Sequence, residues 1–190
     1  MNVTFGLLIL SLLLGLVGLS HQASSAPAPG QGPFQAMAVS HTGTIRLKGP
    51  VDKVFPLFGP VREAEWAPGW SPEVVYPAGS EVAEGMVFRT PGETGETLWV
   101  IVRYDPAQLT VVYANVTPGY MVNRILIRCA ATDGGETAAT ITYWHVALGE
   151  PGNDFIRHMD AEAYAAKMQH WQQAINYRLE TGKTIPLHHQ

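Results

Sequence analysis

From Thr42 onward, hydrophobic and polar residues alternate in short runs separated by turn-forming residues. HTGTIRLKG sets Ile45 and Leu47 against Arg46 and Lys48, which predicts a half-buried strand over residues 41–49. EVVYP, GMVFRT, LWVIVRYD, LTVVYANV, MVNRILIRCAAT and ETAATITYWHVAL repeat the strand signal. GETGET, Pro106, Pro118-Gly119 and Asp133-Gly134-Gly135 break the series, the last being the strongest hairpin signal in the chain. Loops this short imply an antiparallel sheet of about six or seven strands, with one face wet and the other covered.

Two segments depart from this alternation. PVDKVFPLFGPV follows the first strand, where Pro50 suits a helix start while Pro56 and Pro60 keep the helical piece short. It leads into REAEWAPGWSPEVVYP, an irregular connector that holds Trp66 and Trp70 around Pro68-Gly69. Near the carboxyl end the period changes from two to 3.6. Gly152-Asn153-Asp154 supplies an N-cap for one helix from about Phe155 to Glu180, with Gly182 and Pro186 as stop signals. Ala161, Tyr164, Met168, Trp171, Ile175 and Leu179 fall on one stripe, and His158, Glu162, Gln169, Gln172, Gln173 and Asn176 lie largely opposite. The stripe is the cover that the sheet requires.

Composition refines this picture in three ways. At 190 residues with 46% hydrophobic and 15% charged side chains, the chain suits a single globular domain. Its net charge is −4 and no stretch clusters Lys or Arg, which excludes nucleic acid as a partner. The first charged side chain is Arg46, and VTFGLLILSLLLGLVGL ahead of it is followed by small, proline-rich sequence. This predicts a signal peptide over residues 1–26, with an uncleaved anchor as the alternative, then a flexible linker over 27–40. The domain spans 41–182 and a tail 183–190. The product is expected to be exported, periplasmic or secreted, with no membrane span once the signal is cut. Cys129 is the only cysteine and sits on an apolar face, so it reads as a buried structural thiol and the core must hold the fold.

The element order, with EWAPGWSPEVVYP, EGMVF, YDP, VTPG and TYWHVALGEPGN, resembles the START-like helix-grip superfamily. The nearest part of it is the SRPBCC group of polyketide cyclase/dehydrase and lipid-transport proteins. The resemblance covers about Thr42 to Gly182. It implies an α+β helix-grip fold of START/Bet v 1 type, a curved antiparallel sheet wrapped around a long C-terminal helix. It also implies a hydrophobic small-molecule ligand, such as a lipid, sterol or polyketide, held in the space between them.

Candidate ligand-facing residues follow from the faces. The connector offers Trp66 and Trp70, and the strands offer Trp99 with Arg103, Tyr113 with Asn115, and Tyr143 with His145. The helix offers Tyr164, Met168, Trp171 and Ile175. His145 shares a face with Ile141 and Tyr143, so an imidazole in the cavity would serve as a general base or polarise a ligand carbonyl. Arg103 shares a face with Trp99 and Ile101 by strict alternation, and a buried guanidinium there would capture a carboxylate. Glu63 and Glu65 flank Trp66, and a desolvated acid at the pocket mouth would do acid–base work. Asp154, His158 and Glu162 have metal-ligand spacing but occupy a polar helix face, and HExxH, CxxC, GxSxG and phosphate-cradling glycine patterns are absent. No cofactor or metal is expected. The sequence therefore points to an exported binding protein. A cyclase, dehydratase or hydrolase using His145, or a cell-envelope interaction module without ligand, are the alternatives.

Overall fold

Seven runs of alternating residues become seven strands in the computed structural model, which describes residues 33–79, 81–92 and 95–186. The expected signal peptide and the His188-His189 tail lie outside the described residues. The strands are β1 (Ala38–Leu47), β2 (Glu73–Tyr76), β3 (Val87–Thr90), β4 (Thr97–Asp105), β5 (Thr110–Thr117), β6 (Met121–Ala131) and β7 (Thr137–Ala147). They form one antiparallel sheet in the order β1-β7-β6-β5-β4-β3-β2. The chain meanders from β2 to β7, and β1 closes the far edge beside β7. The turn between β6 and β7 uses Gly134 at φ 87° and Gly135 at φ 79°, backbone that a side chain would strain. β1 begins at Ala38 rather than His41, so the end of the expected linker is strand.

Between β1 and β2 lie α1 (Val51–Val54), a 3-10 turn (Phe55–Phe58) and α2 (Pro60–Glu63). Prolines at the first turns of the last two suit helix starts and stop the preceding piece. These turns press Val54, Phe55, Leu57 and Phe58 into the core.

The single C-terminal helix expected from the stripe is two helices, α3 (Glu150–His158) and α4 (Ala161–Thr181). The break is at Met159, where ψ is 65°, and Asp160 then caps α4 by accepting a hydrogen bond from the Ala163 amide at 2.8 Å. Asp160→Ala is expected to cost about 1 kcal/mol in chemical denaturation, the usual worth of such a cap. The Asp154 carboxylate instead pairs with Arg157 on α3, while Glu162 is on the next helix.

α4 lies against β1 and buries Tyr164, Met168, Ala174 and Ile175. It approaches closely at Gly43, where a Cβ would meet Met168 Cγ at 2.9 Å. Gln172 and Asn176, on the helix's polar side, are put to use there: their side-chain oxygens accept hydrogen bonds from the Arg46 and Lys48 amides at 2.8 Å each. The helix thereby satisfies part of an edge strand that would otherwise offer free backbone donors. Among the described residues no helix is long and apolar enough to cross a membrane.

Candidate functional site

Register places the concave-face residues in rows across the sheet. His41, Tyr143, Ile125 and Tyr113 form one row, each paired with the next. His145, Asn123, Asn115 and Trp99 form the adjacent row. Where α4 and the connector meet these rows, a small cavity of about 20 Å³ remains. Its walls are Trp70, Phe88, Trp99, Tyr113, Tyr143 and Trp171, with Ile125 and Ile127 on its floor. Phe88 and Trp99 stack with centroids 5.5 Å apart, and Trp70 stands edge-on to Trp99 at 5.4 Å. Such offset and edge-on pairs are the favoured aromatic geometries.

One acid lines this cavity. Glu63, the last residue of α2, is partly buried, and its carboxyl receives no hydrogen bond or ion pair from a described residue. Desolvation pushes its pKa up to about 8, against a smaller opposing pull from Lys167. Lys167 projects from α4 with Nζ 3.8 Å from the Tyr143 ring centroid and 5.8 Å from that of Trp171. Burial pulls its pKa down to about 8, partly offset by the Glu63 charge. Acid and amine feel each other but stand farther apart than the 4.0 Å of an ion pair. The Tyr113 and Tyr143 phenols, raised well above their ordinary value by burial, stay protonated. Tyr113 donates its hydroxyl to the Phe58 carbonyl at 2.6 Å.

The neighbouring glutamate has a different fate. Glu65 accepts from Arg62 and, across the molecule, from Arg178 of α4 at 2.7 Å, and the hydrogen bonds with the two guanidiniums lower its pKa. It ties the connector to α4, whereas Glu63 is left facing the aromatic cavity.

Of the residues expected to face a ligand, Trp70, Trp99, Tyr113, Tyr143 and Trp171 meet around the cavity. Asn115 and His145 lie one row away in a hydrogen-bonded belt. Asn123 Nδ2 donates to Asn115 Oδ1 at 2.8 Å, and His145 Nδ1 donates to Asn123 Oδ1 at 2.6 Å. That bond fixes the imidazole tautomer and leaves a buried Nε2 lone pair without a partner. His145 is buried between Tyr143 and Phe155, and desolvation first, then Lys167 and His41, lower its pKa to about 4. It is therefore neutral at ordinary pH and a weak proton acceptor. Tyr164 and Met168 line a separate side groove of about 270 Å³ with His41 and Gly43, and Ile175 is solid core.

Two expected residues sit elsewhere. Trp66 is 1% exposed and plugs the core, its indole N–H donating to the Leu57 carbonyl at 2.8 Å. Arg103 points outward and pairs with Asp105 at 2.8 Å. The cause is a β-bulge: Ile101 pairs with Tyr113 but Arg103 with Val112, so the extra residue Val102 shifts the alternation. Trp99 and Ile101 face inward, and the next inward side chain is Tyr104, stacked on Phe55. Lys167 was not anticipated. Its signal was present, since Tyr164, Lys167 and Trp171 are spaced i, i+3, i+7 and place a lysine on the apolar stripe between two aromatics.

No protein-family model matches the chain, and no curated protein does so. Solved structures do match. Norcoclaurine synthase from Thalictrum flavum superposes with a TM-score of 0.57 at 11% identity, covering 80% of this chain and 99% of that one. The Zhui aromatase/cyclase from Streptomyces sp. R1128 gives 0.54 at 17% identity, over 80% and 100%. The major latex-like protein 151 of Panax ginseng gives 0.54 at 15%, over 74% and 97%. The chain thus has the helix-grip fold that the sequence resemblance implied.

Proposed function

We propose that the protein holds a small aromatic or amphipathic molecule between the curved sheet and α4, anchored by Glu63 and Lys167. The observation that supports this most is the pair itself. Both groups are desolvated, Glu63 lining the cavity and Lys167 against two of its aromatic walls, and neither has a hydrogen-bond or ion-pair partner among the described residues. Leaving them so costs stability, and a cost of this kind is ordinarily retained where a ligand supplies the missing partners. A void of 20 Å³ accommodates about one water, so a larger guest must displace a wall. Trp70 is the wall suited to yield. It is half-buried on an irregular connector, with its indole N–H bonded to the Pro60 carbonyl at 2.7 Å. The fold is compatible with such guests, since norcoclaurine synthase has been solved in complex with dopamine and hydroxybenzaldehyde.

Catalysis of a cyclase or synthase type is the second reading, favoured by one feature. Near pH 8 both groups exchange protons, so a bound molecule meets a proton donor and a proton acceptor together. The apolar amino-terminal run supports the further proposal that the protein acts after export, which cell fractionation of the full chain tests.

Binding is tested by titrating 8-anilinonaphthalene-1-sulfonate and following its fluorescence. The wild type is expected to bind it, and Lys167→Met to bind roughly tenfold more weakly, having lost the cation for the sulfonate. Equal affinity in both proteins would place the dye elsewhere and remove support for the cavity.

A further inference from the structure

Beside the cavity stands a lysine that the fold does not otherwise use. Lys48 pairs with Glu180 at 2.6 Å, and Lys53 is an exposed residue with Asp52 beside it. Lys167 instead sets its amine against the rings of Tyr143 and Trp171, two walls of the cavity that Glu63 also lines. The Tyr143 ring beneath Nζ restricts where the amine can stand, which few solvent-exposed lysines experience.

We infer that Lys167 is a nucleophilic amine that forms an imine with an aromatic aldehyde or ketone seated in this cavity, with Glu63 as its proton donor. The inference rests on the reading of the cavity as a ligand site. The aromatic walls select a flat guest by stacking, and a carbonyl is the group that a neutral amine and a carboxylic acid can act on together. The steps balance. The Nζ lone pair attacks the carbonyl carbon as the C=O π pair moves to oxygen, and a proton passes from nitrogen to that oxygen. The Glu63 carboxyl then protonates the hydroxyl, which leaves as water while the C=N bond forms. The Glu63 carboxylate recovers its proton from nitrogen, so amine and carbonyl give imine and water with no redox change. Burial favours this twice, by leaving part of the amine neutral and by keeping the carboxyl protonated at pH 7. Tyr113, Tyr143 and His145 also face this region, whereas His41 lines the side groove and donates to the Met159 carbonyl at 2.7 Å. The two phenols stay protonated and His145 stays neutral, which leaves Glu63 as the acid.

The test incubates the purified full chain with benzaldehyde and sodium cyanoborohydride, which fixes an imine as a benzylamine, and maps the added benzyl group by peptide mass. Lys167 is expected to label roughly tenfold faster than exposed Lys53 at pH 7. Its rate is expected to peak near pH 8, rising below it as the amine loses its proton and falling above it as the Glu63 carboxyl loses its own. Lys167→Met, checked for native circular dichroism, should lose the fast site. Labelling of Lys167 no faster than Lys53 overturns the inference. If the anilinonaphthalene dye binds in a Lys167-dependent way while no fast adduct forms, the amine is an anchor only and the cavity reading stands. If neither occurs, both fail.

Discussion

Trp66→Ala is expected to destabilise the protein by about 3–5 kcal/mol, the usual cost of removing a large buried aromatic. Trp66 is 1% exposed and packs beside Leu57 and Phe58 within the main core. Its ring meets Trp171 edge-on at 5.3 Å, so it supports the α4 wall of the cavity from behind. Truncation would leave a void and strip the Leu57 carbonyl of its indole donor. Trp66→Phe retains much of the packing and isolates the hydrogen bond, with an expected loss of about 1–2 kcal/mol. Urea unfolding at constant m-value measures both. A loss below about 1 kcal/mol for the alanine variant would mean that Trp66 is not the plug the structure describes.

The second expected result is a dip in stability near pH 8. The Glu63 carboxyl rises from 4.5 to about 8 on folding, so between those values the native state holds a proton that the unfolded chain has lost. Stability therefore falls as pH rises through that window. Lys167 drops from 10.5 to about 8, so between 8 and 10.5 the unfolded chain holds the extra proton, and stability rises again. The full shifts correspond to about 5 and about 3 kcal/mol, and because both side chains are only partly buried each arm is expected to span on the order of 2 kcal/mol. His145, lowered from 6.5 to about 4, adds an opposite slope between those values. The difference between wild type and Glu63→Gln cancels that contribution. The variant should gain on the wild type from pH 5 to 8, and Lys167→Met should lose the alkaline recovery. Parallel pH curves for wild type and Glu63→Gln would show that the carboxyl is solvated.

Much of the architecture was legible because alternation and turn chemistry are local. All seven strands lie on runs that alternate between Gly- and Pro-rich breaks, and β6 and β7 join at Asp133-Gly134-Gly135 as the dipeptide signals imply. Face assignment held until Val102, where a bulge turned Arg103 outward; nothing in LWVIVRYD announces the extra residue. The helix break was hidden for a related reason. α3 and α4 both continue an apolar period, and only the Asp160 cap separates them. The site was half legible. Its aromatics are strand and stripe residues, but the choice between Glu63 and Glu65 depends on where α2 ends and on Arg178, remote in sequence. Lys167 was passed over, because a lone lysine on an apolar stripe signals no chemistry until the aromatic rings beside it are in place.

The most direct test of the central claim is the set of indole N–H resonances in a proton–nitrogen correlation spectrum recorded as 8-anilinonaphthalene-1-sulfonate is added. The chain has 5 tryptophans, and they divide by position. Trp70, Trp99 and Trp171 line the cavity, while Trp144 lies under Arg124, 4.9 Å from its ring centroid, away from the cavity lining. The cavity account predicts that the resonances of Trp70, Trp99 and Trp171 move with one saturation curve while Trp144 stays fixed. Movement of Trp144 alone, with the three cavity indoles unchanged at saturation, would contradict it.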